Sequence, residues 1–227
     1  MNENIVLKTE HITKEYKSGK SGVFRALDDV NVEIERAKLT IIKGRSGSGK
    51  TTLLNMLSYL DKPTSGIVTM GETELGKLSD EEMEDFRREH MGFVFQSVAL
   101  FPIMSAYENV DFALRLAEYE GDRDSRIREV MTLVGIEERM MHAPDEMSGG
   151  EQQRVAIARA IAPHPDVLFA DEPTGALDTA TGIKVVKLFK KLIEAEGISI
   201  VMTTHDPGLM EMGDVIYEMS DGRLVYK

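Results

Sequence analysis

The sequence predicts an α/β fold in which a mostly parallel sheet carries an inserted helical lobe. Two observations lead to this fold class. Short apolar runs alternate with amphipathic segments along most of the chain, and one central stretch is amphipathic and charged without a strand-like run. The 227 residues, 42% of them hydrophobic, can bury a sizeable core in one domain, or in one domain with a smaller lobe inserted.

Four short apolar runs are predicted strands. Each is too short for a typical helix, and such runs are typical of strands that are buried on both faces of a parallel sheet. They are LTIIK (39–43), MGFVF (91–95), DVLFA (166–170) and ISIVMTT (198–204). The segments between them carry helical patterns, so the sequence predicts parallel strands with helical connections.

Three helices are predicted from local signals. One follows the first strand at KTTLLNMLSYL (50–60), and a second begins after Ser79, where SDEE offers a capping box with Glu82. A third covers about residues 152–162. The stretch 97–147 contains amphipathic segments (FALRLAEYE, RIREVMTLVG) and no convincing strand, so we expect a helical lobe there.

Charge and composition exclude several function classes. The 27 basic against 39 acidic residues give a net charge of −12, which disfavours nucleic acid as a ligand. The chain has no cysteine, so structural disulfides and cysteine-ligated metal sites are excluded. The start MNENIVLKTEH lacks the features of a signal peptide, and no apolar run approaches ~18 residues. We therefore expect a cytoplasmic protein without a membrane-spanning segment.

A glycine-rich loop at 44–51 carries the most specific chemistry. GRSGSGKT fits the pattern G-x-x-x-x-G-K-[ST] and lies between a predicted strand and a predicted helix, which is the context that the pattern requires. Its backbone N–H groups can close around phosphates, Lys50 can reach the β and γ oxygens, and the Thr51 hydroxyl can ligate Mg²⁺. The sequence therefore predicts a binding site for a nucleoside triphosphate.

Two acids follow the predicted strand at 166–170. In VLFADEPT, Asp171 and Glu172 stand at the carboxyl end of the strand, where ligands bind in parallel sheets. Asp171 is predicted to hold Mg²⁺ and Glu172 to face the terminal phosphate. About a hundred residues after the glycine loop, MSGGEQQR (147–154) again places serine and glycines before a helix, which is a second potential anion cradle or simply a Ser-capped helix.

These motifs resemble those of the ABC-type ATPases over essentially the whole chain. In chain order they are the phosphate loop at 44–51, Gln96 in FVFQ, the signature Ser148-Gly149-Gly150, Asp171 with Glu172, Asp178 in GALD, and His205 in TTHD. The resemblance implies a P-loop NTPase fold with an antiparallel β part. It also implies one ATPase domain over 1–227, with a nucleotide-binding core of 1–96 and 148–227 and a helical subdomain of 97–147.

The resemblance assigns a role to each motif. Glu172, His205 and Lys50 would be catalytic, and Thr51, Gln96 and Asp171 would bind Mg²⁺. Two copies would pair head to tail, so that the signature of one meets the ATP held by the other. The residues expected to contact the nucleotide are Tyr16, Arg45, Ser46, Gly47, Ser48, Gly49, Lys50, Thr51, Thr52, Ser148, Gly149, Gly150 and Asp178. Tyr16 would stack on adenine, although Phe24 lies nearby and either ring could simply pack.

The residues in these motifs most resemble those of one branch of the ABC ATPases, the lipoprotein-release, macrolide-exporter and division-associated branch. That branch implies a separate permease with an extracytoplasmic domain and a peripheral location on the inner face of the cell membrane. We expect the apolar stretch Phe101 to Tyr107 to form a groove for a permease helix, unless Phe101 and Ile103 are buried under the lobe. The alternative function is a soluble ABC ATPase without a transport role, of the iron–sulfur assembly or DNA-maintenance type.

Overall fold

The structure is a computed structural model that describes residues 4–19, 22–175 and 177–225. The strands, in chain order, are β1 (Ile5–Ser18), β2 (Gly22–Val30), β3 (Glu33–Glu35), β4 (Leu39–Lys43), β5 (Ser65–Met70), β6 (Thr73–Glu74), β7 (Met91–Val94), β8 (Val167–Ala170), β9 (Ser199–Thr204), β10 (Val215–Ser220) and β11 (Arg223–Val225). The α-helices are α1 (Lys50–Leu57), α2 (Asp80–His90), α3 (Ala106–Leu116), α4 (Arg123–Leu133), α5 (Gly149–Ile161), α6 (Thr179–Glu196) and α7 (Pro207–Met210).

One of the two sheets is mostly parallel and contains all four predicted strands. Its order is β11-β10-β4-β9-β8-β7, and β11 alone runs antiparallel to its neighbour. The other sheet is antiparallel, with the order β2-β1-β5-β6 and with β3 paired to β1. The predicted fold class, including its antiparallel part, is therefore confirmed.

The parallel sheet separates two hydrophobic cores. Neighbouring residues of one strand belong to opposite cores, since Ile41 packs with the helices α3 to α6 whereas Ile42 packs with α1 and the antiparallel sheet. The same alternation holds for Leu168 and Phe169 in β8. Both faces of each central strand are thus covered, which explains why these strands are continuous apolar runs in the sequence.

Side-chain caps fix the starts of the helices. Ser79 accepts from Glu82 N, and the Glu82 carboxylate accepts from Ser79 N at 2.8 Å, so the predicted capping box begins α2. The stretch 97–147 contains α3, α4 and two short 3₁₀ helices, Glu137–Arg139 and Pro144–Glu146, and no strand. It is joined to the core chiefly by packing of α3 and α4 against α5.

The alternative that Phe101 and Ile103 are buried under the lobe is wrong. Ile103 is 91% exposed, and Phe101 is 40% exposed although its ring packs against Phe112 with the centroids 4.9 Å apart. Within the described residues, none of the helices combines the length and the apolar character needed to cross a membrane.

Candidate nucleotide-binding site

The glycine loop connects β4 to α1 and can adopt its path only because of its glycines. Gly49 stands before α1 with a positive φ of 104°, and a Cβ there would lie 2.9 Å from the Ala26 carbonyl oxygen. At Gly44, a Cβ would lie 2.5 Å from the Met219 carbonyl oxygen. Larger residues at these two positions would clash with backbone atoms, so the loop must be built from glycine.

The amino end of α1 lacks a side-chain cap, since its N-cap residue is Gly49. No acidic residue occupies its first turn, so the positive end of the helix dipole faces the loop without a competing carboxylate. The Ser48 hydroxyl in the same loop is buried and has no hydrogen-bond partner among the described residues. Open N–H groups, a free hydroxyl and the helix dipole together form a site for a phosphate group.

Lys50 supplies the positive charge of this site. Its side chain is 4% exposed, and its Nζ donates to the carbonyl oxygens of Gly44 at 3.0 Å and Arg45 at 3.1 Å. The same Nζ lies 3.6 Å from Oε1 of Glu172. These contacts hold the ammonium group over the loop, where a phosphate oxygen can exchange with one of the carbonyl partners.

Asp171 and Thr51 meet at the carboxyl end of β8. The Thr51 hydroxyl donates to Oδ1 of Asp171 at 3.1 Å, and the Thr203 hydroxyl donates to the same oxygen at 2.7 Å. The Thr203 hydroxyl also accepts the backbone N–H of Glu172 at 2.8 Å. A single hydroxyl in β9 therefore positions both acids of the predicted pair.

Glu172 has an unusual backbone conformation for a residue with a side chain. Its φ is +43°, in the left-handed region that costs a non-glycine residue free energy. The carboxylate is 16% exposed, and its Oε2 lies 3.1 Å from Nδ1 of His205. The strained backbone thus places the carboxylate between Lys50 and His205, both of which were predicted to act on the same phosphate.

Gln96 borders the same cavity as Glu172 and the phosphate loop. A Cβ on Gly175 would lie 3.1 Å from Nε2 of Gln96, so the amide packs directly against the turn that follows Glu172. A cavity of about 430 Å³ is bounded by Gln96, Glu172 and the phosphate loop. Its remaining wall comes from Phe24, Ala26, Ser46, Gly47, Gly49, Lys50, Thr51 and Thr52. The structure therefore gathers six of the thirteen predicted nucleotide contacts, all in the phosphate loop and the first turns of α1, around one cavity with Gln96 and Glu172.

Two aromatic rings compete for the adenine position. Tyr16 and Phe24 are cross-strand partners in β1 and β2, and their side chains are 40% and 58% exposed. The Tyr16 hydroxyl donates to Asp61 at 3.0 Å, and burial raises the pKa of this phenol above its usual value. Phe24, which the sequence offered only as an alternative, borders the cavity.

The signature occupies the amino end of a second helix. Ser148 caps α5: its N–H and its hydroxyl both donate to Oε2 of Glu151 at 2.8 Å, and its hydroxyl accepts from Glu151 N. Arg139 donates to the other carboxylate oxygen of Glu151 at 2.9 Å. The hydrogen bonds from Ser148 and the Arg139 guanidinium lower the Glu151 pKa to about 2.

The two glycines after Ser148 differ in exposure, since Gly150 is half-buried with Thr181 beside it and Gly149 is open. A Cβ on Gly149 would meet no atom within 4 Å, and both Ser148 and Gly149 are exposed. Neither Ser148 nor the glycines border the cavities formed by the phosphate loop within the described residues. The phosphate loop and the glycine-rich start of α5 therefore do not face a common cavity among the described residues.

Asp178 caps α6 close to the turn that follows Glu172. Its carboxylate accepts from Thr181 N at 3.0 Å and from the Thr181 hydroxyl at 2.7 Å, and these bonds lower the Asp178 pKa. A cavity of about 260 Å³ with Glu172, Gly175 and His205 in its wall lies next to this turn. Asp178 is exposed and is available for contacts outside the chain.

Two of the three residues predicted to bind magnesium, Thr51 and Asp171, have the chemistry that suits the ion. Thr51 and Asp171 are within hydrogen-bond distance of each other, and Mg²⁺ prefers oxygen ligands from one or two carboxylates together with substrate phosphates. In the described part of the chain, no group of three or more His, Asp or Glu side chains could hold a metal by itself. A magnesium site here would therefore depend on the phosphate oxygens of a bound nucleotide.

The sequence analysis missed Thr203. It is fully buried at the end of β9 and connects Asp171 to the Glu172 backbone. The available signal was the polar pair in TTHD, since two threonines stand inside an otherwise apolar buried strand. Such residues need hydrogen-bond partners, and here the partners belong to the site.

Comparison with known proteins gives one consistent family. Residues 27–175 match the family model described as ABC transporter. The ABC transporter ATP-binding protein MJ0796 of Methanocaldococcus jannaschii is 42% identical over 225 residues, covering 96% of this chain and 95% of that protein. YtrE of Bacillus subtilis, also an ABC transporter ATP-binding protein, is 37% identical over 223 residues, covering 96% of both chains.

A third relative is longer. The macrolide export ATP-binding/permease protein MacB of Bartonella henselae is 40% identical over 221 residues, which are 97% of this chain but 33% of that protein. Among solved structures, a dimeric structure of MJ0796, described as a bacterial ABC transporter cassette, superposes with a TM-score of 0.87 at 41% identity and covers 97% of both chains. The chain therefore belongs to the ABC transporter family, as an ATP-binding cassette with the P-loop NTPase fold.

Proposed function

We propose that this chain hydrolyses ATP, that two copies close head to tail around the nucleotides, and that the closing motion drives a separate membrane permease. The observation that carries the hydrolysis is the placement of Glu172, whose strained backbone holds a carboxylate between Lys50 and His205. A solved MJ0796 structure in a post-hydrolysis state with ADP and phosphate supports this proposal, since the chain in that structure superposes with a TM-score of 0.87 at 40% identity.

The residues divide the reaction between them. Glu172 orients a water molecule for in-line attack on the γ-phosphorus and accepts its proton, while the bond to the bridging oxygen of ADP breaks. Lys50 stabilises the charge that develops on the phosphate oxygens, and His205 contacts the γ-phosphate. Thr51, Asp171 and Gln96 would hold Mg²⁺, which supplies additional charge neutralisation between the β and γ oxygens.

The second cradle explains why two copies are needed. Ser148 and Gly149 are exposed, Gly150 is half-buried, and none of the three borders the phosphate-loop cavities of the described residues. In a head-to-tail dimer they would bind the γ-phosphate held by Lys50 of the other copy, with Asp178 at the interface. MJ0796 forms a dimer in its solved structure, which supports the same arrangement here. Loss of the γ-phosphate would then release the dimer.

A docking groove for the permease lies between the core and the helical lobe. The docking groove is a cavity of about 550 Å³. Its wall includes Phe95, Phe101, Phe112 and Leu116. All four side chains are exposed by at least 39%, and an apolar surface of this kind is typical of an interaction site. The relative MacB combines ATP-binding and permease parts in its name and is three times as long, which supports a permease partner.

These proposals place the protein on the inner face of the cell membrane, held there through the permease and not bound to nucleic acid. They also divide the chain into a nucleotide-binding core of 1–96 and 148–227 and a helical subdomain of 97–147. The packing of α3 and α4 into one core cluster with α5 supports a subdomain that moves together with the signature.

The replacement Glu172→Gln tests the proposed hydrolysis. The amide keeps the shape of the side chain but cannot accept the proton, so we expect unchanged ATP binding and a fall in turnover of roughly 10²- to 10⁴-fold. Gel filtration with Mg-ATP should show a lasting dimer. Glu138→Gln, an exposed acid of the lobe, is the control and should behave as the wild type. An unchanged hydrolysis rate in Glu172→Gln would refute the assignment.

A further inference from the structure

The docking groove is mostly apolar, yet its charged residues differ in sign from the protein as a whole. The protein carries a net charge of −12. The groove wall contains Arg87, Arg88 and Arg159 against Glu84 and Asp85, a formal charge of +1. A positively charged wall around an apolar surface is complementary to an apolar segment that carries a negative charge.

Arg87 and Arg159 both lack a carboxylate within 4.0 Å among the described residues, and each donates through Nη1 to one backbone carbonyl, that of Tyr59 for Arg87 and that of Ala99 for Arg159. Of the two, Arg159 lies on α5, the helix that follows Ser148. Burial without a compensating acid lowers its pKa below the usual value. Arg88, by contrast, pairs with Asp85 at 2.8 Å and with Glu118 at 3.2 Å.

A partly buried guanidinium with a single carbonyl partner is incompletely satisfied. Arginine has five N–H donors in a planar fork, which fits a carboxylate through two parallel hydrogen bonds. Removing a cation from water is costly unless an anion compensates for the lost hydration. An incoming carboxylate would therefore gain more at Arg159 than at Arg88, whose charge is already paired.

Arg159 connects the groove to two segments of the proposed site, the signature helix α5 and the segment that follows Gln96. It lies in the last turn of α5, whose first residue follows Ser148. Its carbonyl partner, Ala99, is three residues after Gln96. A ligand that holds Arg159 thus acts on the signature helix directly and on the Gln96 segment through one hydrogen bond.

We propose that Arg159 binds a carboxylate on an apolar helix of the membrane partner, so that the partner's docking helix carries an Asp or Glu among its apolar side chains. The proposal rests on the permease docking proposed above and specifies its chemistry. The apolar face of the helix packs on Phe101, Phe112 and Leu116, and the carboxylate reaches the guanidinium at the α5 side of the groove.

Synthetic helical peptides test the proposal without the permease itself. Each peptide is about 16 residues long with a Leu- and Phe-rich face, one Trp, and Glu at one of four successive positions; a matching series carries Gln instead. The protein contains no tryptophan, so the peptide's fluorescence alone reports binding. We expect the best Glu peptide to bind wild-type protein about tenfold more tightly than its Gln twin, because a charge-assisted hydrogen bond is gained.

Two variants assign the preference to one residue. Arg159→Gln should bind the Glu and Gln peptides equally. Arg154→Gln is the matched control, since Arg154 lies on the same helix and also donates to a backbone carbonyl, that of Val134, but does not belong to the groove wall. It should keep the preference for Glu.

Each outcome has a definite meaning. If wild-type protein binds the Glu and Gln series equally, or if Arg159→Gln keeps the preference, the role of Arg159 is wrong while helix docking in the groove stands. If no peptide of either series binds, the groove does not accept an apolar helix, and the docking part of the proposed function fails as well. ATP hydrolysis by Glu172 is independent of either result.

Discussion

The amino ends of α1 and α5 are both glycine-rich, yet they are built differently. The first begins after Gly49 without a side-chain cap, has no acid in its first turn and contains the buried cation Lys50. The second begins after Ser148 and carries Glu151, whose carboxylate occupies the cap. The first can bind a phosphate alone, whereas the second offers donors beside a negative charge. If the second end also meets a phosphate, as proposed for the head-to-tail dimer, we expect that phosphate to be neutralised already by other groups.

The largest expected difference between the two helix ends concerns ATP binding by the isolated chain. Lys50→Ala removes the cation that contacts two carbonyls of the phosphate loop, so binding should weaken by roughly 10- to 100-fold. Ser148→Arg leaves the chain's own phosphate loop intact and should change binding by less than about twofold. Titration with a fluorescent ATP analogue and Mg²⁺ measures both. Equal loss in both variants would show that the signature binds its own chain's nucleotide.

Mixing these two variants sharpens the comparison. Neither should hydrolyse ATP alone, but a mixed dimer combines the intact phosphate loop of Ser148→Arg with the intact signature of Lys50→Ala. In an equal mixture half of the dimers are mixed, and each has one good site, so activity should return to about a quarter of the wild-type value. A phosphate-release assay over a range of mixing ratios measures this. Activity that stays at the level of the separate variants would contradict the shared site.

A smaller effect is expected from replacing Thr203. This residue of β9 contacts the site at the amino end of α1 through Asp171, which also accepts from Thr51. Thr203→Val leaves the Glu172 N–H without its acceptor and Asp171 without one donor, at a cost of about 1–3 kcal/mol in unfolding free energy. We also expect turnover to fall about tenfold because Glu172 loses its position. Thr203→Ser keeps the hydroxyl and should restore turnover. Urea unfolding and steady-state hydrolysis separate the two effects, and a fully active Thr203→Val would refute the positioning role.

The smallest expected effect concerns the capping box of α5, formed by Ser148 and Glu151. The Glu151 pKa is about 2 in the folded chain and 4.5 without these contacts, so its contribution to stability is present above about pH 4.5 and is lost as the pH falls toward 2. Glu151→Gln cannot titrate and should show a slightly shallower loss of stability over that window. Thermal unfolding by circular dichroism at several pH values measures the slope. Identical slopes would show that the cap is not ionised as described.

Much of the fold could be predicted because local sequence and tertiary environment agree. The four apolar runs form strands because each is covered on both faces. The predicted capping box of Ser79 and Glu82 is present at the start of α2. Boundaries were less accurate: α5 begins at Gly149 rather than near 152, because Ser148 caps the helix directly. Phe95 was assigned to a strand but lies beyond β7, where it becomes part of the groove.

The sequence by itself determined the presence of a phosphate loop, the acids after β8 and the membership of a family, because these depend on residue types at fixed spacing along one segment. Tertiary structure decided what distant segments do together. Thr203 reaches Asp171 only because β9 pairs with β8, and Phe24 borders the cavity because β2 folds over the loop. At the end of α5 the acid Glu196 pairs with Arg126, and Arg159 has no carboxylate within 4.0 Å among the described residues. Pairing and packing across long separations follow from the whole fold, so no local pattern could have shown them.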